Sequence, residues 1–376
     1  MTVYSASQRA LLPKFSPIEG NELEWLERQI REGLTPAAYG YRMPAEWEPH
    51  WATWLSWPHN PHSWPGRFEG IASIWARLVR ELRQVEGIRI AAGTGDVLRQ
   101  AQEMVGDLPN VELFDIPTND AWMRDHGPIF LISECCQPPL VLVDWRYNAW
   151  GNKYPPYDLD NLVPRQIAER LGYYRFVVPL VLEGGAVDTD GRGTLLAARN
   201  CLLNPNRNPY VSQEFLSECL KAFFGVARII WVEAMIAGDD TDGHVDQLAR
   251  FVGPRVVVVA SEQDPADINY GPLRELWRQL SAAEDAEGRP VELIPIPMPR
   301  PIEIENQRVP ASYLNFYIAN QLVIVPAFDD PADVQAQNIL GRLFPGRRVV
   351  GLPARDLCWG LGAYHCITQQ EPAPPC

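Results

Sequence analysis

The sequence predicts an α/β fold built from five repeated units, arranged in a single domain as a pseudo-symmetric five-bladed propeller. Two observations predict it. Five amphipathic helices recur along the chain, and each leads into a short apolar strand, a polar loop and a further pair of apolar strands. Because one such unit cannot bury its apolar face alone, the units are expected to pack side by side. No GxGxxG or P-loop sequence supports a nucleotide-binding sheet instead.

Helical periodicity identifies the repeated helices. In the first, Ile71, Ile74, Leu78 and Leu82 recur at spacings of three and four residues and form one apolar face. The predicted helices span 70–86, 160–171, 211–224, 270–283 and 333–344, with a further helix at 96–105 inserted after the first. The last four helices begin 51, 59 and 63 residues apart, which fits a repeated unit.

Short apolar segments identify the strands. Those that follow the helices span 111–116, 176–182, 228–232, 291–296 and 348–352. The strand pairs are GPIFLIS with PLVLVDW, AVDTD with TLLAAR, VDQLARFV with RVVVVA, and SYLNFYIA with QLVIVPA. The fifth unit lacks a pair of its own. We expect the early strand WATWLSW to complete it and close the ring, with most of its tryptophans packed in the core.

Residues 1–40 are predicted to form an N-terminal extension, and residues 41–376 the propeller domain. Prolines interrupt the extension at positions 13, 17 and 36, around one amphipathic segment that contains Leu23, Leu26 and Ile30. We expect this extension to dock on the domain without contributing to the chemistry.

Composition limits the class of protein. Apolar residues make up 46% of the chain and charged residues 21%, a globular balance. No apolar run is long enough for a membrane helix, and the amino terminus lacks the apolar core of a secretory signal, so we expect a cytoplasmic protein. A net charge of −14 disfavours nucleic acid and suits a small cationic ligand. The seven cysteines contain no C-x-x-C pair, so neither a disulfide framework nor a zinc knuckle is indicated.

Polar residues fall at equivalent loops of the five units. In chain order these loops carry Asp125, Glu183, His244 with Asp246, the segment 312–315, and Cys366. In a closed ring such loops converge on the axis, so a cysteine, a histidine and carboxylates would meet there. That combination is typical of covalent catalysis by a thiolate.

Each of these residues also has a structural interpretation. Asp125 can form a surface ion pair with Arg124, and Glu183 before two glycines can cap a turn. His244 and Asp246 form an H-x-D pair that could bind a metal, although no third ligand cluster accompanies them. His365 is expected to face away from Cys366 if that segment is extended, and so to have a structural role.

Seven motifs in order along the chain carry a family resemblance: MPAEWEPHWATWLSWP, NDAWMRDHGP, EGGAVDTDGRGTLL, CLLNPNRNP, DGHVDQLARFV, SYLNFYIAN and HCITQQEPA. Together they resemble the agmatine deiminase family, which belongs with the bacterial peptidylarginine deiminases and the wider guanidino-group-modifying enzymes. The resemblance covers about residues 41–376. It implies a five-bladed α/β propeller, in agreement with the repeat count.

The resemblance also implies roles for single residues. By it, the catalytic residues are Cys366 as nucleophile, His244 as general acid and base, and Glu183 as the carboxylate that orients the histidine. Asp125 and Asp246 match the pair that grips the guanidinium, Trp122 matches a wall of the pocket, and Asp240 matches the position that meets the substrate's far amine. Two departures stand out. The family commonly has GGGNIHC where this chain has GLGAYHC, which places Ala363 and Tyr364 before the nucleophile, and it often has Glu where Asp240 stands.

The implied reaction is hydrolysis of agmatine to N-carbamoylputrescine and ammonia through a covalent thiouronium, with no metal and no organic cofactor. The pocket rim is acidic, and the pocket motifs contain no Arg or Lys except Arg124 that could balance the α-carboxylate of arginine. The rim therefore favours agmatine over arginine. Deimination of arginine or peptidyl-arginine is the closest alternative, followed by a metal-dependent hydrolase and a non-catalytic binding propeller. The expected partner is a small cationic guanidino compound, with no nucleic acid and no membrane, and assembly as a homo-oligomer stays open.

Overall fold

The computed structural model describes residues 21–375 and shows a mixed α/β fold made of several small sheets. The strands are β1 (His50–Ser56), β2 (Gly87–Ala91), β3 (Val111–Phe114), β4 (Ile129–Ile132), β5 (Leu140–Arg146), β6 (Tyr174–Val181), β7 (Val187–Thr189), β8 (Thr194–Ala198), β9 (Arg228–Val232), β10 (Ala249–Gly253), β11 (Val256–Ser261), β12 (Glu292–Pro297), β13 (Glu303–Ile304), β14 (Gln307–Arg308), β15 (Tyr317–Ile318), β16 (Leu322–Ala327), β17 (Arg348–Pro353) and β18 (Gln369–Pro372).

The helices are α1 (Glu22–Arg31), α2 (Ile71–Leu82), α3 (Gly95–Ala101), α4 (Met123–His126), α5 (Ala149–Asn152), α6 (Val163–Leu171), α7 (Arg199–Leu202), α8 (Gln213–Phe224), α9 (Tyr270–Ser281), α10 (Ala332–Leu343) and α11 (Arg355–Cys358). Short 3₁₀ turns lie at Ala37–Tyr39, Pro61–Ser63, Phe68–Gly70, Asp160–Leu162, Gly184–Ala186 and Val245–Gln247, and a π-turn spans Gln102–Gly106. All five predicted repeat helices are therefore confirmed, within a few residues at their ends. Among residues 21–375, no helix is long and apolar enough to cross a membrane.

Five of the sheets share one strand order. In each, an antiparallel pair comes first, and the strand after the helix then joins in parallel, as in β4-β5-β6, β7-β8-β9, β10-β11-β12 and β15-β16-β17. The fifth sheet has the order β18-β1-β2-β3, in which β1 pairs antiparallel with β18 and parallel with β2. The expectation that the early tryptophan-rich strand completes the last unit is thus confirmed, because β1 and β18 come from opposite ends of the chain.

Two strands differ from the sequence prediction. The first helix leads directly into β2, which pairs with β1, while β3 is an additional edge strand beside β2. The fifth unit also has a first strand of its own, β18, which the apolar pattern did not reveal because its residues are polar. Glu371 in β18 is fully buried, where it accepts hydrogen bonds from Trp54 Nε1 at 2.7 Å and Arg89 Nη1 at 2.5 Å.

The described part of the N-terminal extension packs on the domain. Helix α1 begins after Asn21, whose side chain caps Glu24 N, and it contacts β6 and α8. Leu26 is fully buried, and Glu22 pairs with Arg146 at the end of β5. The predicted features at positions 13 and 17 lie outside the described residues.

Candidate active site

The candidate site residues occupy one topological position. Each of them stands shortly before the first strand of a sheet: Asp125 before β4, Glu183 before β7, His244 and Asp246 before β10, Asn315 before β15 and Cys366 before β18. Equivalent loops of equivalent units therefore carry the candidate site residues, as the repeat pattern predicts.

Gly185 shows that three of these side chains converge. A Cβ atom on Gly185 would lie 2.5 Å from His244 Nδ1, 2.9 Å from Asp125 Oδ1 and 3.1 Å from Asp246 Oδ2. The backbone N–H of the same glycine donates to Asp125 Oδ1 at 3.0 Å. The histidine and the two aspartates thus surround one point, and the absence of a side chain at residue 185 leaves them room.

Cys366 is held by the amide of Asn315. The Asn315 Nδ2 atom donates to Cys366 Sγ at 3.0 Å, while its Oδ1 accepts from the backbone N–H groups of Ala363, His365 and Cys366 at 3.1 to 3.2 Å. This turn uses only the backbone of Ala363, and the Tyr364 hydroxyl points away to Pro353 O. Neither the Ala363 side chain nor the Tyr364 hydroxyl therefore takes part in the hydrogen bonds that hold the thiol.

The Cys366 thiol is buried among carboxylates. Burial, followed by the charges of Asp246 and Asp125, raises its pKa well above the usual value. The thiol lies 3.5 Å from Asp246 Oδ2. The free protein therefore holds a protonated Cys366.

His244 lies between two carboxylates. Its Nε2 is 3.4 Å from Glu183 Oε2, and its Nδ1 is 3.7 Å from Asp125 Oδ1. Burial opposes a charged imidazole, but Asp125 and Glu183 outweigh burial and raise the pKa of His244 well above its usual value. The loop before it is shaped by Asp239, whose carboxylate accepts from Thr241 N and Gly243 N. His244 is therefore an imidazolium held ready to donate a proton.

Glu183 is fully buried and has three partners. Arg207 Nε lies 2.7 Å from Oε1, and the Cys201 thiol lies 2.9 Å from Oε2, beside His244. Burial alone would raise the pKa of Glu183, but the hydrogen bond to His244 and the charge of Arg207 lower it to about 2. The side chain caps no turn, so the capping interpretation is wrong.

Asp125 lies inside the site. It accepts from Trp150 Nε1 at 2.9 Å, whereas Arg124 turns away to Glu46 and Gln370. The surface ion pair of Asp125 with Arg124 is therefore wrong. Burial and the neighbouring Asp246 raise the pKa of Asp125. Its hydrogen-bond donors are neutral groups, and the His244 Nδ1 atom, 3.7 Å away, lies beyond hydrogen-bond distance.

Asp246 has one oxygen with a partner and one without. His365 Nδ1 lies 2.8 Å from Oδ2, whereas Oδ1 is buried with no hydrogen-bond partner. His365 also contacts Glu46 Oε2 through its Nε2 at 2.9 Å. The expectation that His365 faces away from the site is wrong, because the segment is a turn and its ring holds a site carboxylate.

A cavity of about 580 Å³ opens over these groups, within the size range of small-molecule sites. Trp122, Asp125 and Cys366 line its inner end, and Tyr154 and Asp240 line its outer end. A Cβ atom on Gly362 would lie 2.5 Å from the Trp122 ring and 3.2 Å from Cys366 Sγ, so the ring stands beside the thiol. Glu183, His244 and Asp246 lie behind this lining.

Asp240 is already paired, contrary to the expectation of a free acidic rim. Lys153 Nζ lies 3.2 Å from its Oδ1, and the Tyr154 hydroxyl donates to its Oδ2. The sequence did not indicate Lys153, because this residue is far from Asp240 in the chain and lies outside the seven family motifs.

One group among the described residues has metal-ligand spacing. The ligand atoms of Glu183, Cys201 and His244 lie within 4.8 Å of one another. The Arg207 guanidinium on Glu183 already supplies a fixed cation there. Burial and the charge of Glu183 raise the pKa of Cys201 to about 12, which makes this cysteine a neutral thiol in the free protein.

Comparison with solved structures gives the class of fold. A dimethylarginine dimethylaminohydrolase is 12% identical to this chain and covers 85% of it and 99% of its own length, with a TM-score of 0.50. At this identity the likeness shows the fold alone, which is the mixed α/β fold of the pentein class.

Sequence comparison gives the family. Residues 42–372 match the Porphyromonas-type peptidyl-arginine deiminase family, and the chain belongs to that family. An agmatine deiminase of Pseudomonas aeruginosa is 38% identical over 90% of this chain and 98% of that protein. The agmatine deiminase of Enterococcus faecalis, solved catalysing its reaction, has a TM-score of 0.82 at 30% identity and covers 91% of this chain and 98% of its own. C. jejuni agmatine deiminase with substrate bound has a TM-score of 0.81 at 30% identity, covering 89% and 97%. The predicted family resemblance is confirmed.

Proposed function

We propose that this protein hydrolyses the guanidinium of agmatine to N-carbamoylputrescine and ammonia, with Cys366 as nucleophile. The observation that carries the proposal is the convergence of four groups: the Cys366 thiol and the Asp125 carboxylate line one cavity, and the His244 imidazole and the Asp246 carboxylate lie directly behind them. The relatives that bear the name agmatine deiminase cover nearly the whole chain, which supports the same reaction.

The two aspartates are the residues that hold the guanidinium. A planar cation with N–H groups on its edges matches two buried carboxylates, because paired charge-assisted hydrogen bonds fix its plane. Asp246 Oδ1 has no partner in the free protein, and Asp125 has only neutral donors. A guanidinium satisfies both carboxylates, while Trp122 walls the pocket beside Cys366.

Substrate binding activates the thiol. The charges of Asp125 and Asp246 hold Cys366 protonated in the free protein, and a bound cation between them cancels that effect. The thiol then releases its proton to solvent, because His244 is already protonated, so the thiolate forms mainly in the complex, where the guanidinium carbon stands at attack distance.

The reaction proceeds in two halves. The Cys366 thiolate adds to the guanidinium carbon, and His244 gives its proton to the departing nitrogen, which leaves as ammonia. A thiouronium remains on the cysteine. Neutral His244 then takes a proton from water as the water attacks the same carbon, and the C–S bond breaks to release the ureido product and the thiolate. Glu183 orients the imidazole in both halves, and the scheme requires neither a metal nor an organic cofactor.

The outer end of the cavity selects the substrate. Asp240 stands where the family resemblance places the contact with the far amine. A carboxylate there favours the bare ammonium of agmatine and opposes the carboxylate of arginine. The net charge of −14 acts in the same direction.

Five sheets of one strand order, with a site residue before each first strand, support a five-bladed propeller for residues 41–376. The ring closes through the pairing of β1 with β18. Residues 1–40 then count as an extension, of which the described helix α1 contacts β6 and α8. The six described cysteines are all free thiols, which suits the reducing cytoplasm.

A panel of guanidino compounds tests the proposal. Agmatine, arginine and a peptidyl-arginine are compared for release of ammonia and of the ureido product. We expect kcat/KM for agmatine to exceed that for arginine by about tenfold or more, which is roughly 1.4 kcal/mol in the transition state. A higher kcat/KM for arginine or for the peptide would contradict the proposal.

A further inference from the structure

Lys153 places an ammonium group against Asp240, a residue that lines the cavity. Its Nζ lies 3.2 Å from Asp240 Oδ1 and 2.9 Å from Asp242 Oδ2, and it donates to the backbone Asp240 O at 2.6 Å. Tyr154 adds a hydrogen bond to the other Asp240 oxygen. Lys153 is one of three lysines in the chain, so this contact is not the product of a generally lysine-rich surface.

A strained turn fixes Lys153 in this position. The preceding residues 149–152 all have positive φ, from 49° at Ala149 to 83° at Gly151. Such a run costs free energy unless its surroundings hold it. Asn148 holds it by accepting from Gly151 N at 2.9 Å and donating to Asn206 O at 2.9 Å.

The same turn touches both ends of the cavity. Trp150 donates to Asp125 at the inner end, and Lys153 and Tyr154 contact Asp240 at the outer end. The ring of Tyr154 packs edge-on against Trp150 at 5.7 Å. The position of the Lys153 ammonium is therefore tied to the wall that surrounds the substrate.

The charges at the outer end nearly balance without a substrate. Asp240 and Asp242 contribute two carboxylates that Lys153 bridges, and Arg207 bridges Asp242 to the deeper, fully buried Glu183. A substrate ammonium that reaches Asp240 meets a carboxylate already neutralised by Lys153.

We propose that Lys153 is a specificity-determining residue: its ammonium competes with the far ammonium of the substrate for Asp240, and so weakens the selection of a cationic substrate end. The proposal rests on the proposed function, because it assigns this end of the cavity to the tail of a guanidino substrate. It predicts that Lys153 acts on binding and leaves the chemical step alone.

The test compares two substrates that differ only at the far end. Agmatine carries an ammonium there, and n-butylguanidine carries a methyl group. In Lys153→Met, we expect the KM for agmatine to fall about fivefold, the range of a half-exposed ion pair. The KM for n-butylguanidine should change by less than twofold, and kcat should stay within twofold for both compounds. Lys153→Gln provides the same comparison if the Met variant loses thermal stability.

Two control variants separate the local contact from general charge. Lys153→Arg keeps a cation on Asp240 and should keep the wild-type KM. Lys221→Met removes one charge from the exposed face of α8, and should leave both KM values unchanged. In an Asp240→Asn background, Lys153→Met should no longer lower the KM for agmatine.

Equal shifts for the two substrates, or an agmatine KM that stays constant or rises in Lys153→Met, would overturn the inference. If the wild-type protein does not turn over agmatine, the proposed function itself is wrong, and this result is distinct from any effect of Lys153. The Kd of agmatine and n-butylguanidine, measured by calorimetry on the Cys366→Ser protein with and without Lys153→Met, then decides the Lys153 claim without turnover.

Discussion

The protonation states of the site residues depend on one another, as Glu183, His244 and Asp125 show. His244 and Arg207 lower the pKa of Glu183 to about 2, so Glu183 is ionised. The carboxylates of Asp125 and Glu183 in turn raise the pKa of His244, so the imidazole is protonated. Asp125 and Asp246 keep Cys366 a thiol. At the scale of single residues, the proposed reaction therefore begins with loss of the Cys366 proton, which a bound substrate cation favours by lowering the pKa of the thiol.

The two buried histidines should differ in kinetic effect. His244→Ala removes the group that protonates ammonia and should lower kcat by about 10³-fold. His365→Ala removes the donor on Asp246 Oδ2, so it should act mainly by raising KM. His365→Asn, which returns an amide near the Nδ1 position, should recover part of the loss. Equal loss of kcat in both alanine variants, with folding intact, would show that His365 shares the acid–base role.

The raised pKa of Cys366 predicts a pH dependence in the free protein. A group whose pKa is raised loses its proton only at higher pH, so thiolate reactivity should keep rising to about pH 9 or beyond. The measurement is the rate of iodoacetamide labelling at the Cys366 peptide, followed by mass spectrometry. The exposed Cys135 is an internal standard. A plateau near neutral pH would mean that the thiolate exists before the substrate binds.

At the scale of elements, the turn α5 is the least regular piece of the site. Its left-handed residues carry Trp150 to Asp125 and Lys153 to Asp240, so its shape sets both ends of the cavity. Gly151 is the residue in it with the tightest surroundings. A Cβ atom there would lie 2.4 Å from the Asn206 side chain and 2.9 Å from Arg207 Nη1.

Gly151→Ala should therefore affect both stability and binding. The positive φ costs about 1 kcal/mol and the contact with Asn206 adds to it, so Tm should fall by a few degrees. Displacement of Trp150 from Asp125 should raise the KM for agmatine about fivefold, as for a lost hydrogen bond. Gly346→Ala is the matched control, because a Cβ atom there meets nothing within 4 Å. Unchanged Tm and KM in Gly151→Ala would show that the turn tolerates a side chain.

At the scale of the whole molecule, the pairing of β1 with β18 joins the two ends of the chain beside the nucleophile. Cys366 lies just before β18, and Arg124 N, in the turn that carries Asp125, donates to Cys366 O at 3.1 Å. Glu371 anchors β18 through Arg89, Trp54 and the Tyr173 hydroxyl. The thiol is thus placed by a contact between distant parts of the sequence.

Removal of the Glu371 carboxylate should loosen this closure. Glu371→Ala leaves Arg89 buried without its carboxylate, which should cost about 3 kcal/mol or more in the free energy of unfolding. Urea unfolding followed by tryptophan fluorescence measures the change. Glu169→Ala breaks an exposed pair with Arg165 on α6 and should leave the midpoint unchanged. Equal midpoints for the two variants would mean that β18 is held by other contacts.

The sequence was sufficient for those parts of the fold that depend on apolar periodicity. The five helices and four strand pairs were predicted because their buried faces recur at helical or alternating spacing. Strand β18 was missed because its buried side chains are polar and are satisfied by partners far along the chain. Strand β2 was missed because the strand that follows the first helix was predicted at the next apolar segment, where β3 (Val111–Phe114) lies.

The site residues that could be predicted are chemically reactive or charged types that occur at equivalent loops of the repeat. Cys366, His244, Glu183, Asp125 and Asp246 were found in this way, and the structure brings them together. Trp150 and Lys153 were not found, and Asn315 was placed in a converging loop without a role, because an amide, an indole or an ammonium acquires its role only from what lies beside it. The second glycine of EGG and the arginine of CLLNPNRNP were visible in the motifs, yet only the folded geometry explains Gly185 and Arg207.

The most direct test of the central claim is mass spectrometry of the protein quenched during turnover of agmatine. The account predicts a covalent adduct, with the mass of agmatine less ammonia, on the peptide that contains Cys366. It also predicts that Cys366→Ser keeps the fold and binds agmatine without measurable turnover. An adduct on another cysteine, or a serine variant with wild-type activity, would contradict the assignment of Cys366 as the nucleophile.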